Sequence, residues 1–159
     1  MIVLGIDPGA TGGFAGVHKL DDGRLEIVNA MMAPIRQVNK KPMLDVIALD
    51  AWMHDINAKV GVIEQVNAMP KQGVASSFQF GRMFGAAEVA MQVWCERYFY
   101  VTPQVWKKKM GLSSDKVRSL DMATSIFGQE AADRFWPLKK HEGVAEAALL
   151  AAWWIKENA

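Results

Sequence analysis

Three carboxylates in this chain are each attached to an apolar element. Asp7 closes the run Ile2–Ile6, with no polar residue between Met1 and itself. Glu64 closes Val60-Gly-Val-Ile, and Glu146 sits within Val144-Ala-Glu-Ala-Ala-Leu-Leu-Ala-Ala-Trp-Trp-Ile, a stretch apolar nearly all round. A lone carboxylate held away from water is expensive, so it must be paired, protonated or bound to a cation. Taken singly, each has a plain structural explanation: a turn aspartate, a strand-end glutamate, a salt-bridged helix glutamate. Taken together they suggest a cluster. Adjacent strand ends bring two carboxylates together, and a helix packed across them supplies a third. Hard divalent ions such as Mg²⁺ take oxygen ligands. Two of them roughly 4 Å apart activate water and stabilise the leaving oxygen in phosphodiester cleavage.

The elements that must position these groups follow from hydrophobic patterning. Ile2–Ile6 is a short apolar run stopped by Asp7-Pro8-Gly9, which predicts a buried strand and a turn. Gly12–His18 and Leu25–Met31 predict two further strands in an antiparallel meander. Residues 34–41 read as a polar, basic loop. Over 43–56 the apolar residues Val46, Leu49, Met53 and Ile56 predict an amphipathic helix. Val60–Ile63 predicts a strand, 76–94 a long helix interrupted by Gly81 and Gly85, and 98–101 a short strand. Thr102-Pro103 has the cap and first-turn residues of a helix start. Helices are expected over 114–127 and 143–157. This order predicts an α/β fold, a five-stranded mixed sheet flanked by helices.

The bulk numbers narrow the classes. A length of 159 residues fits one domain over 1–159 and can bury a core without staples. Cys95 is the only cysteine, so no internal disulfide forms, which fits a reducing compartment. The N-terminus has no basic region ahead of its apolar run, and the longest apolar run, 147–155, is too short to span a bilayer. The expectation is a cytoplasmic protein, or its equivalent in an infected cell, with no membrane contact. Net charge is +1, so any attraction to nucleic acid must be local. Two local patches qualify. From Val66 to Ala87 there is no acidic residue, only Lys71 and Arg82; a second cluster is Lys107, Lys108 and Lys109, followed by Lys116 and Arg118. On charge alone both are equally solvated faces.

The motifs carry a resemblance. GIDPGATGG is similar to the first active-site motif of RuvC-type Holliday junction resolvases, and VIEQVNAMPKQGVASSFQFGRMFG resembles the second. VTPQVWKKKMGLSSDK resembles the segment after the fifth strand. HEGVAEAALLAAWW resembles the C-terminal acidic helix of the branch found in phages and their bacterial relatives. The first motif alone is weak, because sugar kinases and actin-like ATPases share such loops; the four in order cover nearly the whole chain. The resemblance implies a ribonuclease H-like fold, a homodimer, and paired nicks across a four-way DNA junction. It puts Asp7, Glu64 and Glu146 on metal-ligand positions, for two Mg²⁺ ions, with Mn²⁺ as a substitute. The fourth ligand departs from the family pattern: the phage-like branch has Asp four residues before the last acid, and here that slot is Glu142. Such a spacing still puts Glu142 and Glu146 on one helical face. His141, next door, reads as a surface or capping residue.

The same resemblance turns Lys108 and Lys116 toward the scissile phosphate, where a cation stabilises developing charge. Lys107 and Lys109 are candidates for DNA contact. Met69, Phe78 and Phe80 lie in or beside the acid-free segment that faces the junction centre in such enzymes. An aromatic there stacks on unpaired bases, worth roughly 1–3 kcal/mol per base. One of the two phenylalanines reads instead as a core residue of a helix start, and the other is open between the two roles. Lys71 and Arg82 are candidates for phosphate contacts, which fix position rather than sequence. Trp106, Trp153 and Trp154 read as core or dimer interface. Three alternatives stay open: a nucleotide-binding domain using Gly9–Gly13 as a phosphate loop, a branched-DNA binding protein without cleavage, and a related enzyme acting on RNA. The favoured reading has no nucleotide cofactor.

Overall fold

The computed structural model describes residues 1–68, 71–112 and 116–158; the side chains of residues 116 and 117 are outside the description. The strands are β1 (Ile2–Asp7), β2 (Gly13–Lys19), β3 (Leu25–Met32), β4 (Ile35–Val38), β5 (Lys41–Leu44), β6 (Val60–Glu64) and β7 (Arg97–Val101). The helices are α1 (Val46–Ile56), α2 (Val74–Trp94), α3 (Pro103–Lys109), α4 (Lys116–Phe127), α5 (Gln129–Phe135) and α6 (Glu142–Asn158). A 3-10 turn over Lys139–His141 leads into α6.

Five strands form one mixed sheet in the order β3-β2-β1-β6-β7. The meander β1–β2–β3 is antiparallel, while β6 runs parallel to both β1 and β7. The expected architecture is therefore met. Because successive side chains on a strand point to opposite faces, each strand feeds two cores. Val3, Val17, Val60 and Val62 pack with α6 and α4 on one face. Leu4, Ile6, Phe14 and Ile63 pack on the other, with Leu49 and Met53 of α1 and Met83 and Met91 of α2. Parallel strands covered on both sides must be apolar throughout, which is why β1 and β6 read as unbroken apolar runs.

Helix α6 lies across β1 and β2 at a distance only glycine permits. A Cβ on Gly13 would stand 2.6 Å from the backbone of Val144, and one on Gly143 would meet the Gly12 backbone at 2.7 Å. Gly12 and Gly143 even form an isolated β-bridge. Gly12 and Gly13 of the 9–13 loop thus serve helix contact, while Gly9 takes a positive φ of 123°.

Several boundaries differ from the sequence expectation. Residues 34–41 are not a loop: β4 and β5 form an antiparallel hairpin, with Val38 opposite Lys41, and α1 starts at Val46 behind the N-cap Asp45, whose carboxylate accepts the Ala48 N–H at 3.1 Å. Polar residues at Arg36 and Gln37 hid the strand. Gly81 and Gly85 do not interrupt α2, which runs unbroken from Val74. The short helix α5 escaped the periodicity because it is two turns long. No helix among the described residues is long and apolar enough to cross a membrane.

Candidate metal centre

The C-terminal ends of β1 and β6 lie side by side, because Ile6 pairs with Ile63 in parallel register. Each strand is apolar until its last residue, and those last residues are Asp7 and Glu64. One turn into α6, held close by the glycine contact, Glu146 completes the set. Ligand-capable oxygens of Asp7, Glu64 and Glu146 all lie within 4.8 Å of one another. Glu64 and Glu146 are buried, and Asp7 is partly open to the cleft.

Three negative charges in that space disturb one another. Burial pushes the Asp7 carboxyl well above its usual range, and the neighbouring Glu146 and Glu64 push it the same way, with a smaller push from Glu142 and an opposing pull from Lys107. Burial also raises Glu64, against the hydrogen bond from Trp106 and the charge of Lys107. For Lys107, burial works against the ammonium charge. The hydrogen bond to Glu146 and the negative field of Glu146, Glu64 and Asp7 outweigh it, and the pKa is raised.

Each glutamate is fixed by one oxygen. The Trp106 indole N–H donates to Glu64 Oε2 at 2.7 Å. Lys107 Nζ donates to Glu146 Oε1 at 2.7 Å, and the Ser119 hydroxyl donates to the same oxygen at 2.8 Å. The second oxygen of each glutamate accepts no hydrogen bond among the described residues, leaving it for a cation. Trp106 and Ser119 are almost fully buried. Sequence reasoning placed neither in the site: Trp106 read as core or dimer interface, and Ser119 was not singled out. For Trp106 a signal existed: a buried tryptophan needs an acceptor for its N–H, and it immediately precedes a basic run.

The chemistry of this donor set fits a hard divalent ion. It offers carboxylate oxygens, no thiolate and no imidazole, and a net negative charge that a cation relieves. The wider cleft around it is lined by Asp7, Glu142 and Glu146 together with Lys107, Lys108, Lys139 and Lys140. Glu142 opens α6 and faces this cleft, but it stands outside the group of three within mutual reach. His141 Nδ1 accepts the Leu138 N–H at 3.2 Å, the capping role expected of it.

The other sequence candidates are distributed as follows. Of the three consecutive lysines, Lys107 reaches the carboxylates, Lys108 is exposed on the cleft wall, and Lys109 pairs with Glu157 at the far end of α6. Phe80 lines the acidic cleft with Asp7, Glu64 and Pro103 and is half-buried. Phe78 is 67% exposed, so neither phenylalanine is a core residue, and Arg82 stands over the Phe78 ring at 5.9 Å. Lys71 is exposed, with a left-handed φ of 69°. Met69 and the Lys116 side chain fall outside the described residues. Trp106 and Trp154 are buried, and Trp154 contacts Phe99 at 5.4 Å between ring centres.

No family model matches the chain, and no curated protein matches it. Solved structures do. RuvC of T. thermophilus in complex with Holliday junction substrate is 18% identical, with 99% of this chain and 97% of that chain covered and a TM-score of 0.70. A second Thermus thermophilus RuvC structure is 20% identical, with 99% and 96% covered and a TM-score of 0.68. The yeast mitochondrial Holliday junction resolvase Ydc2 is 18% identical, with 97% and 77% covered and a TM-score of 0.59. At such identity the likeness is one of fold. The sheet order and flanking helices are those of the RuvC-type ribonuclease H-like fold.

Proposed function

We propose that this chain is a metal-dependent endodeoxyribonuclease that nicks branched DNA, resolving four-way junctions by paired symmetric cuts. The observation that carries the reading is the trio Asp7, Glu64 and Glu146, within 4.8 Å of one another, on a fold shared with junction resolvases. Asp7, Glu64 and Glu146 hold two Mg²⁺ ions, for which Mn²⁺ substitutes, and Glu142 is the fourth ligand from the first turn of α6. When bound, the ions supply an activated water and stabilisation of the leaving oxygen.

The chain's own residues do the rest. Trp106 and Ser119 hold the two glutamates by one oxygen each, so their free oxygens keep a fixed direction. Lys107, beside Glu146, and Lys108, on the cleft wall, offset charge on the phosphate as it develops; Lys116 joins them by the motif resemblance. Phe80 stacks on an unpaired base at the cleft, with Phe78 and Met69 beside it. Lys71, exposed ahead of α2, and Arg82, exposed within it, contact phosphates. Lys109 contributes only to long-range attraction, since Glu157 already pairs with it.

A four-way junction has two-fold symmetry, so paired cuts need two sites in matching geometry. The chain therefore works as a homodimer, and the exposed Val89 and Val93 of α2 are its contact. The C-terminal motif supports a place in the phage-like branch, acting in the cytoplasm of a bacterial cell or phage-infected host.

The test is a cleavage assay with Mg²⁺ on a four-way junction, a Y-fork, a duplex and an RNA–DNA hybrid. Paired, symmetric nicks in the junction, absent in chelator and absent from Glu64→Gln, are expected. An intact junction at saturating protein and millimolar Mg²⁺ overturns the reading, and selective cutting of the hybrid replaces it with an RNA-processing one.

A further inference from the structure

The β4–β5 hairpin takes no part in the sheet and none in the site above, yet its composition is one-sided. From Ile27 to Leu44 the chain has no acidic residue, and the hairpin carries Arg36, Lys40 and Lys41. All three are exposed, and none has a carboxylate partner among the described residues. The two turn residues, Asn39 and Lys40, are both left-handed, with φ of 51° and 61°. Such two-residue turns favour Asn-Gly, because a Cβ is disfavoured there. Asn39 is the expected residue and Lys40 is not. A lysine occupies the position where glycine would be more stable, and it projects from the tip.

The hairpin is also anchored. The Gln79 side-chain amide donates to the Pro42 carbonyl and approaches Met43 Sδ at 3.7 Å, fixing β5 to α2. The anchor sets it beside the acidic cleft. Lys41 and Pro42 line a groove with Ala10, Ser76 and Phe80, and Phe80 is the same residue that lines the acidic cleft with Asp7 and Glu64. One surface therefore runs from the carboxylates past Phe80 to the cations of the hairpin.

We propose that the β4–β5 hairpin is a separate grip on the nucleic-acid backbone, in which Lys40 and Lys41 contact the phosphates of a strand that leaves the acidic cleft past Phe80. The proposal rests on the nuclease reading and adds a contact surface to it. An anionic backbone is the ligand that fits: Lys40 in the turn and Lys41 at the start of β5 are exposed and have no carboxylate partner among the described residues. Phosphate contacts of this kind position the strand and carry no sequence information.

The experiment uses the full chain and a four-way DNA junction in chelator, so that binding is read without cleavage. Affinity is measured across a salt titration for wild type, Lys40→Gly, Lys41→Ala and the double variant. Lys19→Ala is the control, since Lys19 is an exposed lysine at the opposite end of β2 from Asp7. Lys40→Gly relieves the left-handed strain and is expected to raise Tm, by about 1–4 °C. It is nevertheless expected to bind more weakly. Each lost phosphate contact lowers the slope of log affinity against log salt by about one, so the double variant loses about two and Lys19→Ala none. Wild-type slope in the double variant overturns the hairpin contact and leaves the nuclease reading standing. Failure of the wild type to bind any branched DNA overturns both.

Discussion

Two adjoining layers of the same strands obey opposite rules. Ile6 and Ile63 are fully buried, lie opposite each other in register, and are stabilised by everything around them. One residue further on, Asp7 and Glu64 are crowded with Glu146 and repel it. The apolar layer makes the fold stable; the acidic layer subtracts from that stability and is kept in place by the layer beneath. A functional cluster is thus recognisable as the place where a well-packed element ends on a group it would be more stable without.

The sharpest contrast is between Ile63→Ala and Glu64→Gln, neighbours on one strand. Glu64→Gln is expected to lower junction nicking by on the order of a thousandfold or more, since it removes a ligand oxygen's charge, while junction affinity in chelator stays within a few-fold. Ile63→Ala is expected to cost about 2–5 kcal/mol of stability, read from denaturant unfolding, with nicking per folded molecule unchanged. Equal loss of nicking by both, after correction for the folded fraction, would erase the distinction between the layers.

Removing the repulsion should be visible as stability. The folded Asp7 carboxyl titrates well above its unfolded value, because of burial and then of Glu146 and Glu64. Between those two values the folded state holds more protons than the unfolded state. Stability of the metal-free protein therefore falls as pH rises through that window and recovers as pH is lowered. Asp7→Asn removes the ionised group. Without metal at neutral pH it is expected to raise Tm, by about 2–4 °C for each kcal/mol relieved, and the gain should shrink as pH falls. Mg²⁺ should raise the wild-type Tm and leave Asp7→Asn nearly unmoved. A variant less stable than wild type in chelator at neutral pH would contradict this.

Smaller effects belong to the rim. Neutralising Lys71 or Arg82 is expected to weaken binding to all branched DNAs alike and to reduce the salt slope by about one each. Between the two neighbours at the start of α6, Glu142→Gln is expected to raise the Mg²⁺ concentration needed for nicking, and His141→Ala to leave it unchanged. A silent Glu142→Gln with an inactive His141→Ala would make the histidine the fourth participant, through the cap it forms with Leu138.

The parts legible in the sequence were those with a single dominant signal. β1 and β6 are apolar runs each ending on one acid, α6 is apolar nearly all round about Glu146, and both the fold and the trio follow from them. The β4–β5 hairpin was not legible. Its strands are four residues each, do not alternate cleanly, and turn on Asn39-Lys40 instead of a glycine pair. Among Lys107, Lys108 and Lys109 the motif resemblance favoured Lys108 for the scissile phosphate. Successive helical residues point about 100° apart, so neighbours on α3 meet different surroundings. The packing that sets Trp106 on Glu64 brings Lys107 onto Glu146 and leaves Lys108 on the cleft wall. Ser119 carried no signal at all, being one hydroxyl on a helix whose register against α6 is a tertiary fact.

The central claim is that Asp7, Glu64 and Glu146 form one metal centre, and crystals soaked in millimolar Mn²⁺ test it most directly by anomalous scattering. The expected result is anomalous density among the three carboxylates, about 2.0–2.2 Å from an oxygen of Asp7 and from at least one glutamate, lost in Glu64→Gln crystals grown alike. Ordered carboxylates with no anomalous density between them, at a concentration that supports nicking in solution, would contradict it.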